Sequence, residues 1–87
     1  MSQTKKTRTT VDIYEKTYTI IGDESVHHTR LIASMVDEKM TEIHQANESL
    51  DTTRLDVLTA VNTMNDYLKL KDKYDELVKK LEEKEDQ

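Results

Sequence analysis

Tyr67-Leu68-Lys69-Leu70-Lys71-Asp72-Lys73-Tyr74-Asp75-Glu76-Leu77-Val78-Lys79-Lys80-Leu81 decides how this chain is read. Tyr67, Leu70, Tyr74, Leu77 and Leu81 recur at alternating spacings of three and four, the period of one helix face. Lys, Asp and Glu occupy the other faces, and the whole chain has no proline to interrupt a helix. So narrow an apolar stripe is not covered by its own helix and calls for a partner helix. What the chain pairs with therefore matters more than what it catalyses.

With Tyr67, Tyr74 and Leu81 at a positions and Leu70 and Leu77 at d, the flanking charges permit a parallel pair. Asp66 then faces Lys71 of the other copy, Lys80 faces Glu85, and Lys73 faces Val78, so no pair repels. Along the helix, Asp75–Lys79 and Glu76–Lys80 are expected i,i+4 ion pairs in the favourable order.

Upstream, Leu55, Leu58, Val61, Met64 and Leu68 form a broader face suited to packing against the rest of the chain. Asp51, followed by Thr52 and Thr53, is a candidate N-cap for this second helix, and Asn47-Glu48-Ser49-Leu50 a connecting loop. A first helix is expected from about Ser25 to Ala46. It follows the single glycine, Gly22, and the acidic and hydroxyl residues Asp23, Glu24 and Ser25 that suit a helix start. Its apolar stripe is Ile32, Met35, Val36, Met40 and Ile43, widened by Leu31.

Before that helix, Val11, Ile13, Tyr14, Tyr18, Ile20 and Ile21 flank a polar break at Glu15-Lys16-Thr17, the pattern of a β-hairpin. Glu15-Lys16 is poor chemistry for a two-residue turn, so either a wider turn or a less tightly specified hairpin is expected. The fold class is α+β. Residues 1–8 are a disordered basic arm, residues 9–50 a globular head of hairpin and first helix, and residues 51–87 a long dimerisation helix with an acidic tail. The expected dimer interface takes in Leu58, Val61 and Met64 as well as Tyr67, Leu70, Tyr74, Leu77 and Leu81.

Composition agrees with self-association. The 87 residues include no Phe, Trp or Cys and are only 34% hydrophobic, so the core is thin and disulfides are impossible. Oligomerisation is the remaining means of stabilising so small a scaffold. Nothing resembles a signal peptide or membrane span, which places the chain in the cytoplasm away from the membrane. A net charge of −5 argues against nucleic acid as a partner, although Lys5, Lys6 and Arg8 make a small basic cluster.

No catalytic, cofactor-binding or metal-binding set is expected. His27 and His28 are adjacent and point about 100° apart on a helix, and His44 lies turns away, so the three do not chelate one metal. Ser25 and Ser34 lack a strained glycine-flanked turn, and one glycine cannot build a phosphate-binding loop. Asn62 reads as a structural amide bonded to backbone or to a partner chain.

Two segments carry a family resemblance: Val11-Asp12-Ile13-Tyr14 with Tyr18-Thr19-Ile20, and Asp51-Thr52-Thr53-Arg54-Leu55-Asp56-Val57-Leu58-Thr59-Ala60-Val61-Asn62 with Asp66-Tyr67. Their order and spacing from about Thr9 to Leu81 resemble the ZapA family, in its short, Bacillus-like form. The resemblance implies a non-enzymatic cell-division protein that binds FtsZ protofilaments, bundles them and supports Z-ring assembly during septation. It implies a homodimer at the division site. Longer members extend the last helix to join two dimers into a tetramer, whereas this chain stops at Gln87 and favours the dimer. The family usually has Gly where this chain has Glu15. By the resemblance, FtsZ meets basic side chains of the head, which here are Lys16, Arg30 and Lys39, with His44 near the end of the first helix. Two rival readings are a generic dimeric coiled-coil adaptor and a small nucleic-acid-binding dimer.

Overall fold

The computed structural model describes residues 6–85. Its elements follow in the order β1 (Thr7–Ile13), β2 (Lys16–Gly22), α1 (Val26–Ala46) and α2 (Thr52–Glu85), the α+β arrangement expected. Residues 1–5 of the basic arm and residues 86–87 of the acidic tail lie outside the described residues. The arm does not reach residue 8 as anticipated: Thr7 pairs with Gly22 and Arg8 with Ile21, so both belong to β1. Their partners on β2 and the Thr7 hydroxyl, which donates to the Gly22 carbonyl at 3.2 Å, extend the ladder past the alternating residues.

The hairpin turn is tighter than anticipated, and one residue earlier. Ile13 pairs with Lys16, which leaves Tyr14 and Glu15 as a two-residue turn and makes Lys16 the first residue of β2. Both turn residues have positive φ, 46° at Tyr14 and 71° at Glu15. This left-handed pair is the geometry whose twist matches that of the flanking strands, and it ordinarily recruits Asn and Gly. Tertiary contacts hold it here despite the side chains. The Tyr14 amide donates to Asp37 Oδ1 on α1 at 2.6 Å. The Tyr14 ring stands edge-on to His44 at 5.9 Å. Across the turn, Thr17 Oγ1 donates to Asp12 Oδ1 at 2.7 Å. A left-handed conformation at a non-glycine residue costs about 1 kcal/mol. Glu15→Gly is therefore expected to stabilise the protein by about that amount, seen as a thermal midpoint several degrees higher at fixed protein concentration. An unchanged or lower midpoint would show that no such strain is stored at Glu15.

The helices start where the caps were expected. Ser25 Oγ accepts the His28 amide at 3.0 Å, and Asp51 Oδ1 accepts the Arg54 amide at 2.8 Å. Asn47 closes α1 by donating its amide to the carbonyls of Ile43 and His44.

The core is thinner than the periodicity implied. Its buried hydrophobic residues are Val11, Ala33, Met40 and Leu55, joined by buried Thr9, Thr29 and Thr59. On α1 the anticipated stripe is only partly inside: Met40 is buried, whereas Leu31, Ile32 and Met35 are exposed. The reason is width. A two-stranded hairpin covers α1 only along β1, through Thr9 and Val11, so Ala33 and Thr29 face it and the larger residues lie to the side. β2 overhangs. Tyr18 and Ile20 share the inner face with Val11 and Thr9 yet remain exposed.

On α2, Leu55 is the most deeply buried side chain among the described residues, at 1% exposure, and Thr59 lies one turn on. Leu58, Val61, Met64 and Leu68 do not pack against the head as anticipated; all are exposed. Leu55 and Thr59 already occupy the face turned to α1, and the other four lie on other faces of the same helix. The structure measures 54 × 46 × 16 Å, so the helices have no second layer to cover their outer sides.

Candidate functional site: the exposed faces of α2 and the basic positions of the head

α2 is a single uninterrupted helix of 34 residues, about 51 Å long at 1.5 Å per residue. Its buried residues, Leu55 and Thr59, lie within its first two turns. Beyond them, Tyr67, Leu70, Tyr74, Leu77 and Leu81 each expose more than half of their surface, from 53% at Tyr67 to 67% at Leu70. Five large apolar side chains in one row, facing water, are a contiguous patch of the kind that marks an interaction surface.

A second exposed row adds Val57, which the sequence pattern does not single out, to Val61, Met64 and Leu68. Val57, Val61, Met64 and Leu68 follow the same four-three-four spacing and are all more than half exposed. At 100° per residue this row is turned away from both the α1-facing residues and the Tyr67–Leu81 row. The spacing was visible. Val61 and Met64 are expected both on a face packed inside the chain and in the dimer interface, because nothing in one helix tells which of two apolar rows is covered.

A third apolar feature lies beneath β2, an open groove of about 640 Å³ walled by Tyr18, Ile20, Val36, Met40, Thr59 and Met64. Alternation marks Tyr18 and Ile20 as strand residues without telling whether they are covered, and the position of β2 leaves them exposed.

The charges are arranged differently from the sequence reading. Lys39 forms an ion pair with Asp66, linking α1 to α2. Lys71 pairs with Asp75 at 3.3 Å, in place of Asp75–Lys79 and Glu76–Lys80. Asp75 has one carboxylate and two candidate lysines a turn away on either side, and such exposed pairs differ by only a few tenths of a kcal/mol. The two residues expected to meet across a parallel pair, Asp66 and Lys71, thus both have partners within one chain. Asn62 Nδ2 donates to the Leu58 carbonyl at 3.0 Å, the backbone bond anticipated for it, although on an exposed face.

The hydrogen bond and charge of Lys39, with Lys69 adding a smaller attraction, hold the Asp66 carboxyl below the usual carboxylate range. A carboxyl whose pKa is lower in the folded than in the unfolded state stabilises above the unfolded value, and that contribution is lost as pH falls through the folded one. The Lys39–Asp66 contribution is thus complete above about pH 4 and fades below it. Asp66→Asn should lower the urea midpoint at pH 7 and lower it by less near pH 3. An equal loss at both pH values would show that the side chain acts through packing instead.

Lys16, Arg30, Lys39 and His44 do not form one patch. Lys16 opens β2 beside the turn, and His44 reaches the same end of the head through Tyr14. Arg30 lines a separate groove along β1 with Thr10 and Asp12. Lys39 is engaged toward α2. His27 and His28 are exposed, and His28 lies 3.8 Å from Glu24. Among the described residues no group of three or more His, Cys, Asp or Glu side chains is placed to hold a metal ion. No described helix is long and apolar enough to cross a membrane.

Residues 9–87 match the family model described as cell division protein ZapA. The chain belongs to the ZapA family of cell division proteins. It is 57% identical over 86 residues to the cell division protein ZapA of Oceanobacillus iheyensis, covering 99% of this chain and all of that one. It is 52% identical over 85 residues to the Bacillus subtilis ZapA, covering 98% of this chain and 100% of the relative. Among solved structures it is similar to a ZapA mutant dimer from Geobacillus stearothermophilus, with a TM-score of 0.74 at 46% identity over 94% of this chain and 95% of that one. A hairpin, a helix and a long C-terminal helix are thus a ZapA fold, and the resemblance read from Val11–Ile20 and Asp51–Tyr67 names the right family.

Proposed function

We propose that this chain is a non-enzymatic cross-linker of the division machinery. Two copies pair through α2, and each head binds an FtsZ protofilament, so that filaments are bundled and the Z-ring is assembled and maintained. The observation that carries the reading is the solvent-facing Tyr67–Leu81 row on a helix that outruns its own head, in a chain of the ZapA family. The similarity to a structure described as a dimer supports pairing. In this reading the helix from residue 51 onward is the dimerisation element, and Leu58, Val61 and Met64, exposed on other faces of it, form a second contact with the partner nearer the head. Residues 9–50 form most of the head, completed by Leu55 and Thr59 of α2. The chain works in the cytoplasm, at the division site.

Two heads related by a two-fold axis turn weak single contacts into a strong but reversible link, because the second binding event is effectively intramolecular. Lys16, at the exposed turn end of the head, is the first basic residue to test, since Lys39 already has Asp66 as its partner. Purified chain added to FtsZ in GTP should raise light scattering and the amount of polymer sedimented at low speed. Lys16→Glu together with Arg30→Glu should abolish that rise while the molar mass stays that of the dimer. Full bundling by this variant would remove these two residues from the contact. No bundling by the native chain would end the cross-linker reading.

A further inference from the structure

Among the described residues nothing pairs with the edge of β1 that does not face β2, and the fold gives that edge a shape and a polarity. In a two-residue hairpin the closing pair exchanges hydrogen bonds, here Ile13 with Lys16. The alternation then assigns the ladder bonds to Ile13, Val11, Thr9 and Thr7. Arg8, Thr10 and Asp12 direct their amides and carbonyls to the open edge. Beside this edge runs a groove of about 430 Å³, its far wall formed by Arg30, Ser34 and Asp37, which lie on one face of α1. An open row of backbone donors and acceptors is a template for another strand.

The charges along the groove are sorted. Arg8 and Arg30 lie at the end where β1 begins, and Asp12 and Asp37 at the turn end. Arg30 has no ion-pair partner among the described residues. Asp37 and Asp12 each have one oxygen engaged, with the Tyr14 amide and the Thr17 hydroxyl respectively. Ala33 and Ser34 keep the floor small.

We propose that the free edge of β1 binds an extended peptide segment of a partner protein as an antiparallel third strand. Antiparallel addition brings the N-terminal side of the segment to Asp12 and Asp37 and its C-terminal side to Arg8 and Arg30. The fitting segment is therefore basic first and acidic last, with small or β-branched residues between. The proposal does not rest on the filament reading. It shares Arg30 with it, but it is read out on the β1 edge, where loss of bundling alone changes nothing.

The test is amide hydrogen exchange on the full-length protein with a capped seven-residue probe, Lys-Thr-Val-Thr-Val-Thr-Glu, and the same peptide with Lys and Glu exchanged. At millimolar probe, the amides of Arg8, Thr10 and Asp12 are expected to exchange about tenfold more slowly, while β2 is unchanged. The exchanged-charge peptide and the exposed-site variant Arg30→Glu should each remove most of that protection. Absence of protection at these three amides would overturn the proposal. Protection indifferent to both the charge exchange and Arg30→Glu would overturn it as well.

Discussion

A Leu70→Glu/Leu77→Glu variant is expected to run as a monomer at concentrations where the native chain is a dimer, and to lose filament bundling with it. Both leucines are more than 60% exposed in the single chain, so neither supports the fold of its own copy. Paired across a two-fold axis, the two positions bury four leucine side chains. At about 2 kcal/mol each these contribute roughly 8 kcal/mol, which corresponds to a dimer weakened by more than five orders of magnitude. Placing four carboxylates in the same contact adds repulsion. Light scattering across a concentration series reads the molar mass, and the pattern of backbone amide resonances from residues 7–50 reports whether the head is intact. A variant that stays dimeric would show that the Tyr67–Leu81 row is not the contact, and the exposed Val57–Leu68 row would replace it.

Leu55→Ala acts on the other half of the same helix. At 1% exposure Leu55 is the side chain that anchors α2 to α1, in a core with only three other buried hydrophobic residues among those described. Truncating a leucine so enclosed costs about 3 kcal/mol, the lost transfer energy plus the cavity left behind. Small domains have stabilities of about 5 kcal/mol, so the variant should keep less than half of its unfolding free energy. Leu31→Ala is the matched control. Its side chain is 55% exposed, and the change should stay within about 0.5 kcal/mol. Urea titration at one fixed protein concentration compares the two without interference from self-association. Equal losses from both would mean that Leu55 is not the anchor.

The contrast between Leu55 and Leu70 shows how far the residues alone could be read. Both sit in apolar rows of regular spacing. The spacing is a property of the chain and identifies a helix, its caps at Ser25 and Asp51, and its length. Whether a row meets another element depends on how wide that element is. The Tyr67–Leu81 row was legible as uncovered because it extends past everything else in the chain. For the Val57–Leu68 row the pattern leaves both answers open, with Val61 and Met64 expected inside the chain and at the dimer interface alike, because periodicity does not reveal that a two-stranded hairpin is too narrow to reach it. The turn failed for a related reason. Local preference places Asn and Gly at positive φ, yet Asp37 and His44, more than twenty residues away, hold Tyr14 beside α1. The basic positions were legible only as a list of cations. The structure separates them, with Lys39 against Asp66, Arg30 along β1, and Lys16 and His44 near the turn.

The amino-acid sequence by itself determined the elements, their order, their caps and the existence of an unpaired apolar row, because period and capping chemistry act within a few residues. Only the tertiary structure decided which apolar side chains are inside. It also decided which lysine is already partnered and that the hairpin closes through two left-handed residues. Burial and pairing depend on the width and placement of segments distant in the chain, which no local pattern records.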